Sequence, residues 1–387
     1  VSFFKTRDRR QETRELPYSP VSCLLSLVFC LFCFPSAGAA QFRAALPGYK
    51  FQFPRDHGSH PPFQTEWWYY TGHLDSKSGQ RFGYQLTFFR TALTPSLKGR
   101  TSQWAIRDVI FAHFALSDIN GKRFFNTDRI NRTALKMAGA DKAGTKSPRI
   151  WIDDWQMRFE GAKGERQTLR AKGEADKTVF SIALQQRALK APVIHGANGV
   201  SQKSAGYGRA SHYYSLTRLQ TSGTVTIGRQ TFQVTGQSWF DHEFGSNQMD
   251  KSQTGWDWFS LQLNDGRELM LYQLRLQKGR IEPLSSGTII EKNGRTRPLK
   301  LSDFQIQSLA TWRSPRSGGI YPARWRVRVP KEKIDLIITP SLPDQELNTH
   351  RGARFDYWEG SIDFTGTHSG QGYVELTGYA RPMGGSF

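Results

Sequence analysis

Arg324-Trp325-Arg326-Val327-Arg328-Val329 reads as a β-strand within six residues. Successive side chains on a strand point to opposite faces, so this run sends three arginines one way and an indole and two valines the other. A helix would scatter both sets around its axis. The same alternation recurs along the chain. Trp151, Trp155, Met157 and Phe159 share a face, as do Ile182 with Leu184, Val225 with Ile227, Phe232 with Val234, and Ile334 with Leu336 and Ile338. Turn-forming runs separate these segments at 75–79, 120–121, 221–223, 264–266 and 293–294. Asn-Gly and Asp-Gly between alternating runs are hairpin signals, because glycine accepts the positive φ of a tight turn. Beyond the first 40 residues no segment carries a sustained helical stripe. The expected class is all-β, with many short antiparallel strands forming barrels or sandwiches.

A chain of 387 residues, 13% aromatic, is long enough for two domains with cores of their own. An internal echo supports two related units. Thr65-Glu66-Trp67-Trp68-Tyr69-Tyr70 can be laid on Thr254-Gly255-Trp256-Asp257-Trp258-Phe259, and a second strand follows each, at 82–86 and 269–273. The expected division is a signal peptide at 1–40, an N-terminal β-domain at 41–240 and a C-terminal one at 241–387. The signal reading rests on five basic residues up to Arg14, an apolar run over 21–34, and the small residues 35–40. The run is short for a membrane anchor. Cys23, Cys30 and Cys33 all lie inside it, so the exported chain would carry no disulfide, thiol nucleophile or thiolate metal site. A periplasmic or secreted bacterial protein is the expectation.

Net charge is +20. Loss of residues 1–40 removes five basic and three acidic side chains and leaves +18. Such a surplus favours an anionic membrane surface or other acidic partners. Export argues against nucleic acid, and the scattered arginines read more simply as solvated strand faces.

The chemistry concentrates at Ser238-Trp239-Phe240-Asp241-His242-Glu243-Phe244-Gly245. As a strand, it puts Trp239, Asp241 and Glu243 on one face, and Phe240, His242 and Phe244 on the other. A carboxyl group buried among rings loses hydration, and its pKa rises into the range of a general acid. Aromatic faces stabilise cations. An acid among rings therefore suits protonation of a carbon–carbon double bond and capture of the carbocation by water. Asp241 and Asp257 are the expected proton donors, with His242 orienting or relaying and Glu243 beside them. The plain alternative is that Asp241-His242-Glu243 only ties down an interdomain connection. In the second cluster, Glu66, Trp68 and Tyr70 share one face, and Trp67, Tyr69, Thr71 and His73 the other. Glu66, Trp67, Trp68, Tyr69, Tyr84, His113, Trp239 and Trp256 are the expected ligand contacts. Core packing is the bland reading of the same rings. Long glycine-containing loops at 133–148 and 190–211 are lid or ligand-contact segments, or mere surface excursions. Histidines 57, 60, 73, 113 and 242 match no metal signature, and no nucleophile elbow, phosphate loop or dinucleotide fingerprint occurs. No metal and no cofactor is expected.

Phe53-Pro54-Arg55-Asp56-His57, Glu66-Trp67-Trp68-Tyr69-Tyr70-Thr71-Gly72, Tyr213-Tyr214-Ser215, the run 236–245 and Asp257-Trp258-Phe259 resemble one family in order. It is the carotenoid 1,2-hydratase family, and more closely its lipocalin-like AttH relatives, which carry the label of secreted hydrolases. The resemblance spans residues 50–385. It implies two packed lipocalin-like β-barrels. For the hydratase branch it implies cofactor-free addition of water to a carotenoid double bond. For the secreted branch it implies service to a lipoprotein-releasing-type ABC transporter. The export signal sides with the secreted branch, and no nucleophile–base set supports a hydrolase. Two functions stay open: an envelope protein binding a hydrophobic lipid or isoprenoid-like molecule, and a hydratase or hydrolase using a buried Asp.

Overall fold

The computed structural model describes residues 41–102, 104–349 and 356–383. The expected signal peptide lies outside them. Among the described residues all regular structure is β-strand apart from five single-turn 3₁₀ segments. The strands form two antiparallel sheets of 13 and 10 strands.

Both sheets are wired alike. In the first, the opening strand Thr65–Ser76 lies between the second strand, Arg81–Ala92, and the last, Gln230–Gly245. In the second, the opening strand Gln253–Leu263 lies between Glu268–Leu276 and the last strand, Gly370–Leu376. Pairing of first with last strand curls each sheet into a lipocalin-like barrel. The two segments of the sequence echo are these two opening strands, so the echo marks equivalent places in the wiring. The chain changes sheet between Gly245 and Gln253. That is later than the boundary at 240/241, because the strand carrying Trp239 to Phe244 runs unbroken into Gly245.

Each barrel is filled by the inward half of its alternating side chains. The first encloses Trp68, Tyr70, Phe114, Trp155, Phe159 and Phe240, and the second Phe259, Trp325, Trp358 and Phe364. A fully buried large apolar side chain contributes roughly 1.5–3 kcal/mol. These rings are what hold the chain, since the described residues contain no cysteine. Trp325, Val327 and Val329 face that core and Arg324 faces solvent, as the alternation requires.

One turn expectation fails. Residues 221–223 continue the strand Ala210–Ile227 without a break. Thr221 is buried, its hydroxyl bonded to Ser238 at 2.7 Å and to the Leu219 carbonyl at 3.1 Å. Gly223 is there for closeness, because a Cβ at this position would lie 2.1 Å from the Ala183 carbonyl oxygen. The glycine serves strand approach, not chain reversal.

The outer faces of the opening and closing strands pack sheet against sheet. Tyr69, Tyr213 and Trp239 from the first meet Trp258, Met270, Tyr272 and Tyr373 from the second. A polar clamp reinforces the seam. Glu268 of the second sheet is buried, and takes Lys190 at 2.6 Å and Arg218 at 2.5 Å from the first. Arg218 reaches it from an irregularity between Leu216 and Leu219, where the strand register shifts.

Candidate functional site

A pocket opens at this seam. Trp67, Tyr69, Phe89 and Tyr213 line it from the first sheet, and Trp256, Trp258, Tyr272 and Leu274 from the second. Asp241, Glu243, Glu375 and Lys203 supply its ionisable groups. The space between these side chains is small, about 100 Å³, and partly open to solvent. It is a slot between rings and not a wide cavity. Tyr69 meets Trp258 edge to face with centroids 5.2 Å apart.

Asp241 is 4% exposed and is held by three donors. Its Oδ1 accepts from Trp239 Nε1 at 2.7 Å and from the Ser215 hydroxyl, and its Oδ2 accepts from the Tyr213 hydroxyl at 2.8 Å. Burial pushes its pKa up to about 7, against the pull of these hydrogen bonds. Behind it runs a chain of polar groups. Ser215 Oγ lies 2.7 Å from His195 Nε2, and His195 Nδ1 lies 2.9 Å from Thr288 Oγ1. Burial drops the His195 pKa to about 3, so the ring is neutral and has one proton to pass or hold.

Glu243 pairs with Lys203 at 2.9 Å and accepts from Ser211. Burial alone would depress the Lys203 ammonium, but Glu243 and Tyr272 outweigh it and hold its pKa above the ordinary value. The ammonium also lies 4.6 Å from the centre of the Tyr272 ring.

Across the pocket, Glu375 Oε2 accepts from Trp256 Nε1 at 3.0 Å, and burial lifts the Glu375 pKa to about 7. Glu359 sits directly opposite Glu375 in the strand register. It is buried and neither oxygen makes a hydrogen bond of proper geometry, although the Tyr69 and Tyr357 hydroxyls face it. Burial and the neighbouring Glu375 keep it protonated far above the usual carboxylate range.

The structure thus gathers five of the expected residues at the pocket: Asp241, Glu243, Trp67, Tyr69 and Trp256. Trp239 stands behind Asp241 as its donor. The other six lie elsewhere. His242 points into the first barrel, where its Nε2 lies 2.8 Å from Glu66 Oε1 and its ring stacks on Trp68. Glu66 is buried with it, and Arg90 Nε meets Glu66 Oε2 at 3.0 Å. Burial would raise the Glu66 carboxyl, but Arg90, His60 and His242 hold it well below the carboxylate range. Trp68 is barrel core, and Tyr84 donates to Ser238 inside the same barrel. His113 bonds the Tyr357 hydroxyl at 2.8 Å, outside the lining. Asp257 lies on the other face of its strand, paired with Arg275 and Tyr379. Alternation sorts five of these; His113 shares the seam face with its register partner Thr87 but stands one strand further from the pocket. Odd and even neighbours on one strand cannot reach the same space.

His60, Glu66 and His242 place one ligand atom each within 4.8 Å of one another, a spacing a metal ion can accept. The Arg90 guanidinium already occupies the same carboxylate, and its charge opposes a cation there. The residues therefore fit a hydrogen-bonded lock better than a metal centre.

Lys203 and Glu375 escape a reading of short motifs. Lys203 sits in the 190–211 loop, whose short strands Val193–Ile194 and Ser201–Gln202 pair with Ala210–Ile227. Glu375 could have been found. Tyr373-Val374-Glu375-Leu376 alternates with apolar groups on both faces, and an acid in such a strand is buried.

The AttH-like family model matches residues 44–379. A solved AttH-type protein of Nitrosomonas europaea superposes with a TM-score of 0.78 at 33% identity, covering 87% of this chain and 100% of that one. Kievitone hydratase from Nectria haematococca superposes with a TM-score of 0.63 at 14% identity, covering 88% of this chain and 96% of that one, a likeness of fold. No curated protein matches the chain.

Proposed function

The chain belongs to the AttH-like family, and we propose that it is a cofactor-independent hydratase of an apolar, unsaturated small molecule. The observation that carries this reading is Asp241. Its carboxyl group holds a proton to about pH 7 at the wall of an aromatic slot. A neutral acid next to an alkene can protonate carbon, and Trp67, Trp256, Trp258 and Tyr213 stabilise the positive charge that develops. The Ser215–His195–Thr288 chain holds the Asp241 carboxyl in place from behind. That the same fold is used by a protein named as a hydratase agrees with this reading without carrying it. A hydrolase finds less support, because no serine at the pocket is paired with a basic histidine. Ser215 bonds a histidine that burial keeps neutral down to about pH 3.

The test is a panel of isoprenoid and aryl alkenes incubated with wild-type protein and Asp241→Asn, with products followed by mass. Wild type is expected to add one water to at least one compound. Asp241→Asn should bind that compound with unchanged affinity and turn it over at least 100-fold more slowly, the usual scale of a lost general acid. Tight retention of a compound by wild type without any mass change would mark a binding protein instead.

A further inference from the structure

We propose that Glu375 is a second catalytic residue of this pocket, taking a proton from the attacking water while Asp241 delivers one from the facing wall. The inference rests on the acid-catalysed hydration above and assigns its other half.

Geometry comes first. Asp241 projects from Gln230–Gly245 of the first sheet, and Glu375 from Gly370–Leu376 of the second. Both line the one pocket, so a substrate between the sheets has a carboxyl group on each side. Glu375 has one oxygen committed and one spare. An indole N–H can only donate, so Trp256 fixes Oε2 as an acceptor. Among the described residues no donor reaches Oε1. The side chain lies deep in the protein yet is only partly covered, because part of its surface faces the pocket. Glu359, its register partner, is fully buried and outside the lining, so it cannot take this role itself. Glu375 acts on it by proximity: two adjacent carboxyl groups do not both ionise, and Glu359 is the one that keeps its proton.

The step balances with water alone. The alkene π pair takes the Asp241 proton and forms a C–H bond. The water oxygen forms a C–O bond to the neighbouring carbon, and a water proton passes to Glu375 Oε1. Asp241 ends as carboxylate and Glu375 as acid, and the proton returns through pocket water before the next turnover. The same two groups exchange roles in the reverse dehydration.

Because the acid and base stand on opposite walls, H and OH are added to opposite faces of the double bond. Wild-type protein is run in D₂O on a trisubstituted alkene that the panel shows to be turned over, and the product configuration is read by NMR. Anti addition is expected, and syn addition overturns the proposal. Glu375→Gln keeps the acceptor for Trp256 and removes the base. Its kcat should fall at least 100-fold with KM within about three-fold, and the acidic limb of its pH–rate profile should vanish. Glu375→Asp should restore part of kcat. The groups facing Glu375 are Glu359 and Tyr357 from the adjoining strand, Tyr69 from the first sheet, and Asp241, Glu243 and Lys203 across the pocket. All of them remain in the variant. A Glu375→Gln protein with kcat within five-fold of wild type and both limbs intact sinks Glu375 alone. Failure of wild type to hydrate any alkene sinks the hydratase reading, and this assignment with it.

Discussion

Replacing Asp241 by Asn should stabilise the protein, and the gain should grow with pH. The Asp241 carboxyl has an ordinary pKa of 3.8 in the unfolded chain and about 7 in the fold. Between those values the native state holds a proton that the unfolded state has lost. Stability therefore falls as pH rises through this window and levels off above it. Taking the carboxyl from 3.8 to about 7 corresponds to about 4 kcal/mol, of which about 3 kcal/mol falls between pH 5 and pH 8. Asn keeps the shape and one acceptor oxygen for Trp239 and Ser215, and its amide can donate to the Tyr213 oxygen. It cannot ionise. The assay is urea unfolding of both proteins at pH 5 and pH 8. The advantage of Asp241→Asn over wild type should be larger at pH 8 by about 3 kcal/mol. An advantage that does not change with pH, or one that shrinks, would mean that Asp241 is already ionised in the fold, and the proton donor would have to be sought elsewhere. A gain in stability with loss of turnover is the pattern of a group retained for chemistry at a cost to folding.

Two further substitutions separate the lock from the pocket. Arg90→Met leaves the buried Glu66 carboxylate without its guanidinium and frees the Phe63 carbonyl that Arg90 holds at 2.8 Å; the expected cost is about 3–5 kcal/mol in urea unfolding, and a cost under 1 kcal/mol would show that His60 and His242 suffice. Asp257→Asn strips a partner from Arg275 and Tyr379 on the far face of its strand, so it should lower the melting temperature by a few degrees while kcat/KM stays within two-fold, and a 100-fold loss of kcat would return Asp257 to the site.

How much of this could be read from the chain depends on distance along it. Alternation is a local property, so the all-β class followed from runs such as 324–329. The division of 238–245 into an acid face and a histidine face followed from the same rule, and both faces are where the rule puts them. What alternation cannot say is which face looks into a barrel and which into the seam. Both carry large rings, and both are covered. That ambiguity is why His242, Glu66 and Trp68 read as site residues beside Asp241, Trp67 and Tyr69. Glu375 meets Asp241 only because the last strand of the second sheet pairs with its first strand, which packs on the first sheet. No signal within a few residues of either acid records a pairing that spans more than a hundred positions.

The seam, and not a barrel interior, is where such chemistry has room. Trp68, Tyr70, Trp155, Phe159 and Phe240 fill the first barrel, and Trp325 and Trp358 the second, leaving the outer strand faces as the place where two curved walls meet imperfectly. Into that gap the chain puts three acids, with Glu359 just behind, against the single ammonium of Lys203. The surplus of basic residues elsewhere does not relieve them. Arg324 and its neighbours lie on solvated faces of the second barrel, where water and salt screen them beyond roughly 8–10 Å. One lysine can balance one carboxylate, and it balances Glu243. Of the remaining acids, Glu359 keeps its proton at neutral pH, and burial lifts Asp241 and Glu375 to about 7, where one can hold a proton while the other is ionised. A second lysine at Tyr272 or Leu274 would supply the missing charge, ionise Asp241, and should abolish proton transfer while making the protein more resistant to alkaline unfolding.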